Sequence, residues 1–207
     1  MDALFKGVRE YNQTDLEQYH KLFKSLEKNQ NPHTLFIGCS DSRIVPNLIT
    51  KSLPGELFVI RNIANLVPYY RASDEFFSTT AAIEYAVKIL NVENILICGH
   101  SNCGGCRALF ADDELLNQIP HTKKWLHLSD NVRDKIKIYK KKYEPEDVEW
   151  MIEQENVVEQ MNHLLTYPFV NEKYIDGRLN ILGWYFEIGS GKVFNYNKET
   201  RIFDEIQ

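Results

Sequence analysis

Two short apolar runs interrupt the mixed patterning of the chain, Leu35-Phe36-Ile37-Gly38 and Ile95-Leu96-Ile97-Cys98-Gly99. Runs of this length, closed by glycine and free of polar alternation, predict strands buried on both faces of a parallel sheet, here near 34–38 and 94–98. A further strand is predicted over 56–61, just after the Pro54-Gly55 turn signal. Between them Phe76, Thr80, Ile83, Val87 and Leu90 recur at helical spacing, so 75–90 reads as the crossover helix that parallel strands need, and a short helix fits 46–50. Upstream, Thr14 and Glu17 form a capping-box pattern. Leu16, Tyr19, Phe23 and Leu26 follow on one helical face until Asn29 to Pro32 break it, with room for a shorter helix before. Residues 121–141 and 145–166 predict two more helices. The first runs into Lys140-Lys141-Lys142, a solvated helix end that complements the dipole, and the second stops before Pro168. Aromatic and β-branched segments at 179–188, 192–196 and 201–203, with Gly189 and Gly191 between the first two, predict hairpin strands at a sheet edge. The fold class is therefore α/β: a mostly parallel central sheet flanked by helices, with an amino-terminal helical arm and a carboxyl-terminal edge hairpin.

Both apolar runs end in side chains that can hold a metal. Cys39 and Asp41 follow the first, His100 and Cys103 the second. In open α/β sheets ligands sit beyond the carboxyl ends of the strands, so these four can converge from neighbouring strands, and two thiolates, an imidazole and a carboxylate suit tetrahedral zinc. Asp41 is the member most easily exchanged for water, and Arg43 offers it a bidentate alternative, which predicts a site that can open. Gly104-Gly105 begins another helix, whose backbone N–H groups would face the site. Rival readings attach to the same cysteines. Cys103-Gly-Gly-Cys106 has redox spacing, and Cys98, Cys103 and Cys106 partly match an iron-sulfur pattern, but neither accounts for His100 or Cys39. Cys98 and Cys106 read instead as buried small hydrophobes. None of His20, His33, His121, His127 and His163 has a second ligand at useful spacing, and all read as surface or packing residues.

The chain has 207 residues, enough for one sizeable core, and is read as one domain over 1–207, with 1–30 as helical arm and 31–207 as the zinc-binding core. Its 24 basic and 29 acidic residues give a net charge of -5, which supplies no electrostatic reason to expect nucleic acid or a membrane surface as partner. The amino terminus has charges every few residues and no apolar core, unlike a signal peptide. Four cysteines, three of them within nine residues, point to metal or redox chemistry in a reducing compartment, and the chain is expected in the cytoplasm.

Cys39-Ser-Asp-Ser-Arg43, the segment Pro54 to Asn65, Ala82-Ile-Glu-Tyr-Ala86 and Gly99-His-Ser-Asn-Cys-Gly-Gly105 together resemble a β-class carbonic anhydrase of the plant-like branch. The resemblance runs in order from about residue 14 to the tail. It implies one zinc per chain on Cys39, His100 and Cys103, with water or Asp41 in the fourth place, and a homodimer or dimer of dimers. It also implies a substrate pocket lined by Gln30, Phe58 and Tyr85. A second branch of that family carries a noncatalytic bicarbonate site of Trp, Arg and Tyr. The corresponding residues here are Phe36, Arg61 and Phe186, which lack two of the donors, so no such site is expected.

The implied activity is reversible hydration of carbon dioxide to bicarbonate and a proton by attack of a zinc-bound hydroxide. Gln30 and the N–H of Gly104 are candidate donors to the substrate oxygens, and Phe58 suits an uncharged gas. Two thiolates donate more charge than imidazoles, so this zinc should be a weaker acid than one held by three histidines. Two alternatives use the same residues: hydrolysis of carbonyl sulfide or carbon disulfide, and a noncatalytic zinc-containing bicarbonate sensor closed by Asp41.

Overall fold

Both apolar runs are strands, and they lie side by side. β1 (Thr34–Cys39) is buried along its whole length, and β3 (Asn94–His100) along all but its first residue. The computed structural model describes residues 1–72, 78–143 and 145–207, the side chains of 145–147 and 149 excepted. β2 (Leu57–Asn62) pairs with β1 on the side away from β3, and β4 (Asn180–Glu187) pairs with the far side of β3, all four strands being parallel. β4, expected as the first strand of the edge hairpin, joins β3 in parallel and also pairs antiparallel with β5 (Lys192–Asn197), which pairs antiparallel with β6 (Ile202–Glu205), giving the order β2-β1-β3-β4-β5-β6. The chain moves outward from β1 to β2 and then returns across β1 to lay down β3. The winding therefore reverses between β1 and β3, which opens a crevice at their carboxyl ends.

The crossover back to β3 is α3 (Ser78–Glu84), continued by a π-helical turn, Tyr85–Ile89. Ile83 and Val87 are fully buried there against Leu35, Ile37, Ile95 and Ile97, as the periodicity requires. Phe76 and the start of the expected helix at 75 lie outside the described residues. The same sheet face is closed by α8 (Pro145–Leu164), which crosses β3 and β4 where they carry Gly99 and Gly183. A Cβ at Gly99 would stand 2.5 Å from Val157 Cγ2, and one at Gly183 2.5 Å from Met161 Sδ, so both glycines let the helix approach. The opposite face is smaller: Phe36, Leu96 and Cys98 are buried, rimmed by the partly buried Leu57, Leu182, Trp184 and Phe186.

Several elements differ from expectation. The arm is one continuous helix, α1 (Asp2–Leu26), and Thr14 lies inside it, its hydroxyl donating to the Glu10 carbonyl at 2.9 Å instead of capping. Helix-forming residues upstream extend the helix through the box. No residue of α1 is buried, and Leu4, Phe5 and Val8 are exposed. The short helix is α2 (Pro46–Thr50), as expected. The stretch 121–141 divides into α6 (Pro120–Leu126) and α7 (Asp130–Tyr139), with a 3-10 turn between. Two helices were not anticipated. α5 (Asp113–Gln118) is opened by Asp112, whose carboxylate accepts the Leu115 N–H at 2.9 Å, and α9 (Pro168–Ile175) has Pro168 in its first turn. A proline that stops one helix is equally suited to start the next.

α8 carries a buried polar stripe, Glu153, Asn156, Glu159, Gln160 and His163. Asn156 donates to the Ala64 carbonyl at 2.9 Å, Gln160 accepts the Val67 N–H at 2.8 Å, and His163 Nδ1 meets the Val67 carbonyl at 2.7 Å. These bonds anchor the loop that follows β2. Glu159 lies 3.3 Å from His163 Nε2, 2.8 Å from Asn131 Nδ2 and 4.0 Å from Lys135 Nζ, and Tyr69 also donates to it. The His163 hydrogen bond is the main cause that lowers the Glu159 pKa from 4.5 to about 2. A carboxylate with a depressed folded-state pKa stabilises above its unfolded value and ceases to as pH falls through the folded one. Glu159→Gln is therefore expected to cost about 1–3 kcal/mol at pH 7. That difference should shrink from about pH 4.5 down to about pH 2, as paired urea titrations across pH will show. A constant difference across that window would contradict it.

Candidate functional site

β1 and β3 pair in parallel with Gly38 opposite Cys98, so Cys39 and His100 leave the sheet at adjacent strand ends. His100 is still part of β3, opposite Phe186, which carries this strand two residues further than the apolar pattern indicated. A turn at Ser101 and Asn102, the latter with φ 56°, brings the chain back to Cys103, the residue that caps α4 (Gly104–Ala108). The ligand atoms of Cys39, His100 and Cys103 all lie within 4.8 Å of one another, and all three side chains are buried. No other such group of three occurs among the described residues.

The donor set fits a metal. Two sulfurs bound about 2.3 Å from one tetrahedral zinc would stand about 3.8 Å apart, and Cys39 Sγ and Cys103 Sγ are 3.9 Å apart. His100 Nδ1 faces the Ser101 carbonyl at 3.0 Å, which fixes the tautomer with the proton on Nδ1. Nε2 is then a lone pair, buried and without a hydrogen-bond partner among the described residues. A buried nitrogen left so is costly unless something electropositive takes its place. Without metal, the contact with Cys103 and burial push the Cys39 thiol up to about 12, and the Cys103 thiol is raised as well, mainly by Cys106. An ion binding here must displace those protons, so its affinity rises with pH.

Asp41 stands beside this group, its Oδ2 3.9 Å from His100 Nε2. Both of its oxygens are held by Arg43, Nε to Oδ1 at 2.9 Å and Nη2 to Oδ2 at 2.7 Å, with the Arg43 N–H adding a third bond at 3.0 Å. The Arg43 side chain is the main reason that the Asp41 carboxyl is held far below the usual carboxylate range. Arg43 also donates to the Asn102 carbonyl at 3.1 Å, tying the two strand-end motifs together.

Two positioning residues were not anticipated. Arg61 donates to the carbonyls of Cys39 at 3.0 Å and Asp41 at 2.5 Å and so fixes the backbone of the first motif. Its place inside an otherwise apolar strand, in register with Gly38, was the available signal. Arg61 Nε and Nη2 are committed to those carbonyls, and Phe36 and Phe186 lie in the apolar cluster of the outer face. Glu153 accepts the Cys103 N–H at 2.7 Å and the Tyr185 hydroxyl at 3.0 Å. Nothing in the sequence separates Glu153 from the other glutamates of α8.

Gly104 and Gly105 have different tasks. A Cβ at Gly105 would stand 2.8 Å from Ala64 Cβ and 3.1 Å from Ala64 N, whereas one at Gly104 would meet nothing within 4 Å. Gly105→Ala is expected to destabilise by about 1–3 kcal/mol through overpacking. Gly104→Ala should stay within about 0.5 kcal/mol of the parent, because its methyl would meet open space. Thermal melts distinguish the two, and equal loss of stability would refute the division.

Gln30, Phe58 and Tyr85 are not brought to this group within one chain. Phe58 is in register with Leu35, four residues before Cys39, roughly 13 Å back along the strand at ~3.3 Å per residue. Its ring lies 6.0 Å from that of Tyr85, and Gln30 precedes the start of β1. These residues belong to the amino-terminal end of the sheet, opposite the Cys39 group.

The carbonic anhydrase family profile matches residues 34–193. A carbonic anhydrase of Helicobacter pylori strain J99 is 38% identical over 206 residues, covering 98% of this chain and 93% of that protein. The solved β-carbonic anhydrase CcaA superimposes with a TM-score of 0.94 at 34% identity, covering 100% of this chain and 99% of that one. One of two tetrameric β-carbonic anhydrases from Sordaria macrospora does so at 0.80 and 31% identity, covering 94% and 97%. No helix among the described residues is long and apolar enough to cross a membrane. With the strand-end Cys-His-Cys group, the switch-point crevice and near full-length similarity all agreeing, the chain belongs to the carbonic anhydrase family, as a β-class enzyme acting on a small-molecule substrate.

Proposed function

We propose that this chain uses one zinc ion, held by Cys39, His100 and Cys103, to hydrate carbon dioxide reversibly to bicarbonate and a proton. The observation that carries the reading is the buried, unpartnered His100 Nε2 beside two sulfurs 3.9 Å apart. Zinc, when bound, supplies the Lewis acidity that makes water a nucleophile near neutral pH. Cys39, His100 and Cys103 would be the ligands that this chain offers a bound zinc, because Arg43 holds both Asp41 oxygens. Asp41, ionised and fixed, accepts a hydrogen bond from the attacking water and orients it, and Arg43 keeps that carboxylate from turning to the metal. The exposed Gly104 N–H is placed to bond a substrate oxygen.

The rest of the pocket comes from a second copy, because Gln30, Phe58 and Tyr85 lie a strand's length from their own chain's ligands. Gln30, Phe58 and Tyr85 of the partner subunit are assigned to line the pocket. The unburied apolar residues of α1 support such an assembly, a homodimer or dimer of dimers, with residues 1–30 as the arm of one 1–207 catalytic unit. Deleting residues 1–28 is expected to impair both assembly and turnover. Sedimentation showing a fully active monomer at micromolar concentration would contradict it. The four free cysteines support a reducing, cytoplasmic setting.

Stopped-flow hydration of carbon dioxide on a sample of measured zinc content tests the reading. Zinc near one per chain with hydration that tracks zinc content is expected. Bound zinc without hydration at any pH would favour the sensor, and preferred turnover of carbonyl sulfide or carbon disulfide would favour the hydrolase.

A further inference from the structure

Cys106 has no part in the chemistry above, yet it sits one helical turn from a proposed ligand. Cys103 caps α4 with extended backbone angles, φ -71° and ψ 114°, and Cys106 is the third helical residue. Residues three apart at the start of a helix lie on one face, with their backbones close enough for a disulfide to span. Both residues also line one cavity of about 450 Å³, with Arg107, Phe110 and Lys140 among its other walls. Each is only 2% exposed, so the cavity is the route by which a small molecule meets them. Cys98 lines no such space and is fully buried inside β3.

We propose that Cys103 and Cys106 are a redox switch on the metal site, in which hydrogen peroxide entering this cavity links them as a disulfide and deprives the metal of a ligand. The proposal rests on Cys103 being a ligand. Of the three sulfurs near the site, Cys39 and Cys103 are committed to the ion, and Cys106 is free to react. Its sulfur attacks one peroxide oxygen: an S–O bond forms, the O–O bond breaks, and the other oxygen leaves as water, giving a sulfenic acid. The Cys103 sulfur then attacks the Cys106 sulfur, forming the S–S bond and expelling the second oxygen, as hydroxide when Cys103 begins as a thiolate. Two thiol sulfurs lose two electrons in total, and one peroxide is reduced. Cys103 can no longer hold the ion, and a dithiol reductant reverses the step by exchange. A CxxC pair at the start of a helix that follows a parallel strand is the setting in which such a disulfide forms readily.

The test treats zinc-loaded wild type, Cys106→Ala and Cys106→Ser with hydrogen peroxide, following zinc release with a chromophoric indicator and mapping disulfides by mass spectrometry without reduction. Wild type should release its zinc with a Cys103–Cys106 crosslink, and take zinc up again after dithiothreitol. Both variants should hold zinc before treatment and release it at least about tenfold more slowly. Release from both variants at the wild-type rate, retention of zinc by oxidised wild type, or a Cys39–Cys103 crosslink in its place would overturn the switch. Zinc content before oxidant reads the ligand assignment separately: absence of zinc there overturns that assignment and the switch with it, whereas the other adverse outcomes overturn the switch alone.

Discussion

Cys39→Ser and Cys103→Ser are each expected to yield a folded chain with almost no zinc and no measurable carbon dioxide hydration. Both sulfurs hang from backbone that the fold fixes independently of the metal: Cys39 is the last residue of β1, and Cys103, the cap of α4, is held by the Glu153 bond to its N–H. The backbone therefore survives substitution, but the donor set does not. Serine keeps the shape and offers a hydroxyl that does not ionise at neutral pH, leaving a neutral oxygen where zinc prefers a thiolate. Loss of a supporting residue around a metal ligand already costs about 10–100-fold, and loss of the ligand itself should exceed that. Cys98→Ala is the matched control. That thiol is buried inside β3, where burial pushes its pKa up to about 12, and it lies outside the ligand group. It should keep zinc and activity while losing some stability. Zinc analysis with circular dichroism decides the matter: wild-type zinc in either serine variant, or zinc lost from Cys98→Ala, would displace the assignment.

The candidate site was legible in the sequence because the side chains that could hold a metal interrupt a very regular signal. An all-apolar run must be a buried parallel strand, its end is a fixed point, and side chains just beyond two such ends have few places to go. Cys39, Asp41, His100 and Cys103 could be grouped on that argument alone, whereas β4 was expected as a hairpin strand, and its parallel pairing with β3 was not legible in its pattern. What was not legible depends on long-range partners. Glu153, Asn156, Gln160 and His163 stand out in no way from the rest of their helix in the sequence, yet they bond to the backbone of Cys103, Ala64 and Val67 across 50 to 96 residues. Local pattern carries no record of such pairings, and a buried polar stripe weakens the amphipathic signal that would otherwise orient the helix. Thr14 misled in the opposite sense, and Pro168, rightly read as lying beyond the end of α8, also opens α9. A capping box or a proline states a local preference, and the helices around them decide whether it is used.

Arg43→Ala is the second large effect expected, and it separates a gate from a structural salt bridge. In the structure Asp41 takes three hydrogen bonds from Arg43 and lies 3.9 Å from His100 Nε2, so it stands between two cationic claims once zinc is present. Removing the guanidinium leaves the backbone N–H as the only one of those bonds. The carboxyl then returns toward its ordinary pKa, which still leaves it ionised at neutral pH. An anion with its partner removed turns to the remaining cation, so Asp41 should bind zinc and complete the tetrahedron with protein ligands alone. Zinc content should therefore stay near one per chain while hydration at neutral pH falls by roughly 10–100-fold. Activity should recover as pH rises, because hydroxide competes with the carboxylate for the same position and grows more abundant. Protonation of Asp41 cannot produce that recovery, since it would free the position at low pH and give the opposite slope. Asp41→Asn should likewise lose activity, through weaker orientation of water, but without the alkaline recovery, because an amide competes poorly for zinc. The measurement is the pH profile of hydration for wild type and both variants, each with its zinc content. An Arg43→Ala enzyme that keeps its zinc and works at the wild-type rate across that range would show that the pair only braces the turn after β1.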